Sequence, residues 1–192
     1  MDLSGLQTQL SGLKHYPIEQ WHPPFCGSIP MHIARDGQWL YQQSAINRME
    51  LVRLFAAILS CQQGRYFLTT PAEKVEITVA DAPFMLVACH WLPQPNGPAQ
   101  LQVTSSVGES YLISAELPVQ LQTDPLTGDN LPYLQLPRGL HAKFARSLYY
   151  ELVEVALSRP QPDDSSLCLA SGDYIFSLGT ISDEYILRYL AE

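Results

Sequence analysis

The chain has 192 residues, of which 46% are hydrophobic, and its formal net charge is −8. This length and composition indicate a globular protein with one large domain or two small ones. The acidic balance argues against binding to DNA or RNA, which needs rows of Lys and Arg facing phosphates. The charge is uneven, with six Lys and Arg against seven Asp and Glu in residues 1–83, and five against twelve in residues 84–192. A small anionic ligand would therefore find its cations mainly in the first half.

Cysteine spacing and hydropathy bear on the compartment. The cysteines are Cys26, Cys61, Cys89 and Cys168. They lie far apart and form no CxxC pair, so neither a disulfide framework nor a zinc ribbon is indicated. Residues 1–16 lack the basic start and apolar core of a secretory signal, and no apolar run approaches the roughly 20 residues that span a bilayer. We expect a soluble cytoplasmic protein that does not bind membranes.

The first 34 residues contain a predicted helix and an irregular segment. Four leucines at helical spacing predict a short amphipathic helix that docks on the body of the protein; they are Leu3, Leu6, Leu10 and Leu13. The proline-rich segment from Trp21 to Pro30 contains His22 and Cys26, with His32 just beyond it. These three side chains have no recognised metal-ligand spacing, so structural roles are favoured over a metal site.

The stretch from Asp36 to Val79 carries the clearest pattern. Asp36-Gly37 between two β-prone runs predicts a hairpin, and core packing is the better single prediction for Trp39. A helix is predicted over Asn47–Cys61, with Asn47 as N-cap and Glu50 reaching back to it. Its apolar stripe consists of Leu51, Leu54, Phe55, Ile58 and Leu59. Gly64 is a plausible helix stop, and β-rich runs follow at Arg65–Thr70 and Val75–Val79.

A break at Ala80–Phe84 predicts a boundary between two domains, residues 1–83 and 84–192. Strand patterns then follow in quick succession, separated by turn signals at Asn96-Gly97, Val107-Gly108 and Asp124–Asn130, which predicts an antiparallel meander. A second helix is expected over Leu140–Ser158, with its stripe at Phe144, Leu148, Leu152 and Val155. A hairpin around Ser171–Asp173 and a short helix after Ser182 complete the chain.

A weak internal repeat links the two halves. Without a gap, Arg48–Ser60 aligns with Arg146–Ser158, and each predicted helix leads into a hairpin. Two amphipathic helices can match by chance, but the shared order of helix and hairpin favours duplication. The predicted fold class is therefore α+β, with two small domains, each of antiparallel strands on one main helix, related by internal duplication.

The common catalytic and cofactor motifs are missing from the sequence. It contains no Walker A loop, GxGxxG, GxSxG or HExxH pattern. This lowers the expectation of an enzyme, and no cofactor is predicted. Glu73 and Lys74 are adjacent on a predicted strand edge, so their side chains should point to opposite faces.

Five short motifs resemble an uncharacterised bacterial family of two-domain proteins. The motifs are Asp36-Gly37-x-Trp39, Ile46-x-Arg48, Leu51-Val52-x-Leu54-Phe55, Thr70-Pro71-x-Glu73-Lys74 and Asp81-Ala82-Pro83-Phe84. The resemblance implies a duplicated strand-helix core, a C-terminal domain superficially like a pleckstrin-homology fold and a binding site at the domain interface. It also implies a nucleotide-like ligand and a signalling role.

Three functions are compatible with these observations. The favoured one is a ligand-sensing module in which Arg48, Arg65 and Lys74 bind a small anionic ligand and Trp39 or Phe84 stacks on it. For each cation taken alone, the alternative to ligand binding is an ordinary surface position, with Arg48 at a helix start and Lys74 in a turn.

The other two functions use different residues. An enzyme would need Glu73 or Asp81 as a general base in a cleft. An adaptor would present the acidic, β-rich second half to a protein partner.

Overall fold

The computed structural model describes residues 16–124, 126–162 and 165–180. The predicted N-terminal helix, the predicted helix after Ser182 and the residues Asp163 and Asp164 lie outside these ranges. The chain divides into two compact units, with Pro83 ending the main segment of unit 1 and Phe84 beginning unit 2. Unit 1 also includes Pro137–Leu140, a short segment contributed by the second half of the sequence.

Unit 1 is a six-stranded mixed sheet with one helix. Its elements are β1 (Phe25–Ile33), β2 (Trp39–Tyr41), β3 (Ser44–Ala45), α1 (Met49–Ala57), β4 (Leu59–Gln62), β5 (Arg65–Thr69) and β6 (Lys74–Val79). The strand order is β3-β2-β1-β6-β5-β4. The β1–β6 pair is parallel and the other pairs are antiparallel. The hairpin predicted at Asp36-Gly37 is confirmed as the β1–β2 connection, where Gly37 has a φ of 82°.

The predicted helix over Asn47–Cys61 is too long at both ends. The observed N-cap is Arg48 rather than Asn47, and the helix ends at Ala57 because β4 begins at Leu59. Gln63 and Gly64, with φ of 52° and 76°, form the two-residue turn between β4 and β5. Two successive positive φ values are typical of the tight turns that join hairpin strands. Gly64 is therefore a hairpin residue and not a helix stop.

The two faces of the unit 1 sheet differ in composition. The buried face includes Ile33, Val75 and Ile77. Trp39, which pairs with Ile33 across β1 and β2, stacks on Phe55 of α1 with ring centroids 6.2 Å apart. The helix therefore covers this face. Because side chains alternate along a strand, the intervening residues of β5 and β6 lie on the opposite face.

Unit 2 contains the second six-stranded sheet, one helix and a terminal hairpin. Its elements are β7 (Phe84–Gln94), β8 (Gly97–Ser105), β9 (Ser110–Leu112), β10 (Val119–Thr123), β11 (Asn130–Gln135), β12 (His141–Phe144), α2 (Arg146–Leu157), β13 (Ser166–Ser171) and β14 (Tyr174–Thr180). The order is β10-β11-β12-β7-β8-β9, with a parallel β7–β12 pair at the centre. The strands β13 and β14 form a separate two-stranded sheet.

The second helix is shorter than the prediction of Leu140–Ser158. His141–Phe144 forms β12, which pairs with β7 and β11, so the helix begins only at Arg146. Its buried residues are Leu148, Tyr149, Leu152, Val153 and Ala156. The predicted stripe is correct at Leu148 and Leu152 and wrong at Val155, which is half-buried.

The predicted α+β fold class with two domains is confirmed. In each sheet the six strands can be numbered 1 to 6 in chain order. The unit 1 sheet then has the order 3-2-1-6-5-4, and the unit 2 sheet has the same order when it is read from the β9 edge. Strands 1 and 6 are parallel in both sheets. This shared order is the pattern that an internal duplication produces. The helices differ in place, because α1 lies between the third and fourth strands and α2 follows the sixth. The direct helix-to-helix alignment therefore pairs elements at unlike positions.

Neither helix of the described part of the chain has the length and apolar content needed to cross a membrane.

Candidate functional site

The side of the unit 1 sheet opposite α1 carries a group of polar and aromatic side chains that we call the polar face. It consists of Phe25, Gln62, Arg65, Phe67, Lys74 and Glu76. The strand register brings these residues together. Gln62 pairs with Arg65, Phe67 with Glu76 and Phe25 with Lys74. Four strands, of which β1 is distant in sequence from the others, thus contribute to one surface.

Arg65 and Glu76 form a two-point ion pair on the polar face. Arg65 Nε donates to Glu76 Oε1 at 2.8 Å, and Arg65 Nη2 donates to Glu76 Oε2 at 2.5 Å. Ser28 Oγ donates a longer bond of 3.4 Å to the same carboxylate. The hydrogen bond from Arg65 holds the pKa of Glu76 below its ordinary value, and the pKa of Arg65 is raised in turn. The charge of Arg65 is therefore largely matched within the protein.

Lys74 is placed differently from Arg65. Its Nζ donates to Gln62 Oε1 at 2.7 Å and lies 4.2 Å from the centre of the Phe67 ring. Among the residues that the structure describes, no carboxylate lies within ion-pair distance of this ammonium group. Lys74 is therefore the cation of the polar face that can pair with an external anion.

Phe25 supplies an exposed aromatic surface beside this cation. Its side chain is 55% exposed, although large aromatic side chains are usually well buried. It meets the buried Phe67 edge to face, with ring centroids 6.2 Å apart. The guanidinium carbon of Arg65 lies 5.9 Å from the centre of the Phe25 ring and 5.3 Å from that of Phe67. The ring of Phe25 is thus fixed by neighbours and still open to solvent.

Two adjoining cavities open at the polar face. The first has a volume of about 250 Å³ and is lined by Phe25, Gln62, Gln63, Arg65, Phe67 and Lys74. The second, of about 210 Å³, shares Gln62 and Lys74 with it and extends toward Arg138. The first cavity combines an aromatic surface with a cation, which suits a flat anionic molecule.

Arg138, in the segment Pro137–Leu140, lines the second cavity. Arg138 Nη1 donates to the carbonyl oxygens of Ala57 and Leu59, at 2.7 and 3.3 Å. Ala57 is the last residue of α1, where a cation is favoured by the helix dipole, and Leu59 is the first residue of β4. Arg138 thereby attaches its segment to the junction of α1 and β4.

The ion pair on the polar face gives a pH prediction. We expect the carboxyl of Glu76 to titrate below the ordinary value of about 4.3, because Arg65 stabilises the charged form. Arg65→Gln should raise the Glu76 pKa toward the ordinary value. The measurement is a carbon-detected NMR titration of the Glu76 side chain in both proteins. An identical midpoint in the variant would contradict the assigned cause.

Of the residues predicted for a site, Arg65 and Lys74 lie together on the polar face. Arg48 is exposed at the N-cap of α1 and lines neither cavity. Glu73 is half-buried, and its main-chain N–H donates to Thr70 Oγ1 at 3.1 Å within a tight turn. The expected clustering of three cations is therefore reduced to two.

The two predicted stacking residues and the predicted base have other roles. Trp39 and Phe84 are buried in the cores of unit 1 and unit 2 respectively, so neither presents a ring to solvent. The side chain of Asp81 is 7% exposed and lies 3.3 Å from Arg35 in an ion pair. Core packing and charge pairing explain why these three side chains do not contribute to the polar face.

Sequence reasoning missed Phe25, Gln62 and Phe67. The alternation of Arg65 and Phe67 along one strand was a usable signal, since residues two apart share a face. No local signal could have found Phe25, because it reaches Lys74 through the parallel pairing of β1 and β6.

The three possible metal ligands near the start of the chain are held in separate hydrogen bonds. His22 Nδ1 lies 3.0 Å from the carbonyl of Gln20, Cys26 Sγ lies 3.5 Å from that of Pro24, and His32 Nδ1 lies 2.8 Å from Thr78 Oγ1. Within the described residues no group of three metal-ligating side chains comes together.

Comparisons with known proteins match both halves of the chain. Residues 16–82 match the family model of the DUF1285 N-terminal domain, a domain of unknown function. Residues 83–178 match the model of the DUF1285 C-terminal domain, which is described as part of a protein of unknown function. No curated protein matches the chain.

Two solved structures are similar to the whole chain or to much of it. A DUF1285 family protein from Silicibacter pomeroyi DSS-3 is 35% identical, with a TM-score of 0.81 over 99% of this chain and 97% of that one. A DUF1285 family protein from Shewanella baltica OS155 is 33% identical, with a TM-score of 0.54 over 66% of this chain and 91% of that one. The first similarity extends over both units.

Proposed function

The chain belongs to the DUF1285 family of two-domain proteins, and we propose that it is a ligand-sensing module whose unit 1 binds a small anionic molecule. The ligand contains a flat ring, which stacks on Phe25, and an anionic group, which pairs with Lys74. Nucleotides combine these two features. The observation that carries the proposal is the position of an exposed aromatic ring beside a cation that has no internal carboxylate partner among the described residues.

Binding is favoured over catalysis by the state of two carboxylates, Glu76 on the polar face and Asp81, which was predicted as a general base. Glu76 is held by Arg65, and Asp81 is held by Arg35. A general base needs a carboxylate that is free to accept a proton from a substrate. The proposal therefore assigns a regulatory role to the bound ligand, and it keeps a cytoplasmic location because the cysteines lack the spacing of a disulfide framework.

A thermal-shift screen tests the proposal. The compounds are nucleoside mono- and diphosphates, cyclic nucleotides and dinucleotide cofactors. A ligand that binds only the folded protein adds about 2.7 kcal/mol at a hundred times its Kd. For a chain of this length we expect a rise in Tm of about 5 to 10 °C.

Matched variants locate the binding. Phe25→Ala and Lys74→Ala should each reduce the shift, whereas Arg48→Ala removes an exposed cation that lines neither cavity and should leave it unchanged. The proposal fails if no compound raises the Tm of the wild type by more than about a degree. It also fails if a compound shifts the Phe25 and Lys74 variants as much as the wild type.

A further inference from the structure

The second cavity on the polar face is lined by two residues that carry hydroxyl groups. Ser60 lies on β4 and Thr69 ends β5, and both line the cavity. Each residue is only 6% exposed. Among the described residues, neither hydroxyl has a hydrogen-bond partner. Because both residues line the cavity, their hydroxyls can donate to a molecule bound there.

The strand register explains why these hydroxyls face the cavity. Ser60 pairs with Phe67, and Thr69 pairs with Lys74, so all four side chains belong to the same side of the sheet. Thr70, the next residue, uses its own hydroxyl in the turn to Glu73 and does not compete for the same space. The two hydroxyls and the Lys74 side chain therefore lie on the same side of the sheet and line the same cavity.

Arg138 and Glu19 also line the cavity and carry opposite charges. Arg138 already donates through Nη1 to two carbonyl oxygens, and its Nε lies 3.8 Å from Glu19 Oε1. This contact is long, and the side chain of Glu19 is 65% exposed. Glu19 is thus a loosely held carboxylate at the mouth of the cavity.

We propose that this second cavity is an oxyanion subsite that holds the phosphate group of a phosphate monoester. The hydroxyls of Ser60 and Thr69 donate to phosphate oxygens, and Lys74 and Arg138 supply the positive charge. The bound phosphate takes the place of Glu19 beside Arg138. The identity of the whole ligand rests on the proposed function, in which a ring occupies the first cavity. A molecule with that ring and a phosphate in the second cavity is a nucleoside monophosphate or a similar aromatic phosphate monoester.

The test uses the full chain and three probes: inorganic phosphate, adenosine monophosphate and adenosine. Binding is followed by NMR titration of the amide signals of Ser60, Gln62 and Thr69. We expect inorganic phosphate to shift these signals. The double variant Ser60→Ala with Thr69→Val should bind phosphate at least about tenfold more weakly, because hydrogen bonds to a charged group are lost. Glu19→Gln should bind it more tightly, because a repelling carboxylate is removed.

The control is Ser44→Ala, which removes an exposed hydroxyl on β3 and should leave phosphate binding unchanged. Failure of inorganic phosphate to shift the three amides would overturn the subsite. So would equal phosphate affinity in the double variant and the wild type, or no gain from Glu19→Gln.

The probes separate the subsite from the ring site. Adenosine monophosphate could bind no more tightly than inorganic phosphate, with Phe25→Ala changing neither affinity. That result would support the phosphate subsite and contradict the ring contact of the proposed function. If adenosine and its monophosphate bind equally well to wild type and to the double variant, the ring site stands and the subsite falls.

Discussion

Leu152→Asp is expected to unfold unit 2. Leu152 is 0% exposed and lies at the centre of the buried side of α2. Removing a buried leucine side chain alone costs about 2 to 5 kcal/mol, and an unpaired carboxylate in the same place adds a further penalty. We expect a loss of at least about 4 kcal/mol, which is a large part of the stability of a typical domain. The measurement is a thermal melt followed by circular dichroism and by the fraction of soluble protein.

Leu157→Asp is the matched control, because it makes the same substitution at the last residue of the same helix. Leu157 is 41% exposed, so its loss removes less buried surface than the loss of Leu152. A negative charge near a helix C-terminus costs about 0.3 to 1 kcal/mol. If Leu152→Asp melted as close to wild type as Leu157→Asp, the assigned buried face of α2 would be wrong.

The helix faces show what sequence periodicity can and cannot fix. In α2 the predicted positions Leu148 and Leu152 are buried. In α1 the predicted Leu54 is only half-buried, while Val52 and Ala56 on its other side are buried. A short apolar helix has more than one side that could face a core, and the way the helix packs on the sheet determines which side is buried. This packing depends on contacts with residues that are far away in the sequence.

Two strands were predicted as parts of helices for a related reason. Leu59–Gln62 and His141–Phe144 have apolar residues that fit either a helix or a strand over such short lengths. Pairing with β5 in one case and with β7 and β11 in the other determines the outcome. Local sequence patterns likewise could not predict the parallel strand pair at the centre of each sheet, because most of the residues of a unit lie between its two strands in the sequence.

The candidate site was predicted in part from charge. Placing the ligand cations in the first half selected Arg65 and Lys74, which do lie together on one face. Phe25 and Arg138 come from the first strand and from beyond the middle of the chain, so only the folded sheet brings them close to Lys74. Trp39 and Phe84 had the right chemistry for stacking, but their burial depends on the packing of each core.

Gly139→Ala is expected to destabilise unit 1 by about 3 kcal/mol or more. Gly139 has a φ of 70°, a left-handed conformation that costs an L-residue about 1 to 2 kcal/mol. A Cβ atom there would lie 2.5 Å from the carbonyl oxygen of Cys61 on β4, a backbone atom that cannot move without disturbing the β4–β5 hairpin. The two costs add, and the free energy of unfolding from urea denaturation measures their sum.

Gly128→Ala separates the two costs, because Gly128 has a φ of 77° and no heavy atom of the described residues lies within 4 Å of the position that an added Cβ would occupy. Its loss should be that of the backbone conformation alone, about 1 to 2 kcal/mol. The difference between the two variants then measures the clash with Cys61. If both variants lost the same stability, the Pro137–Leu140 segment could move away from β4 at no cost, and the close packing of Gly139 on Cys61 would not contribute to the stability of unit 1.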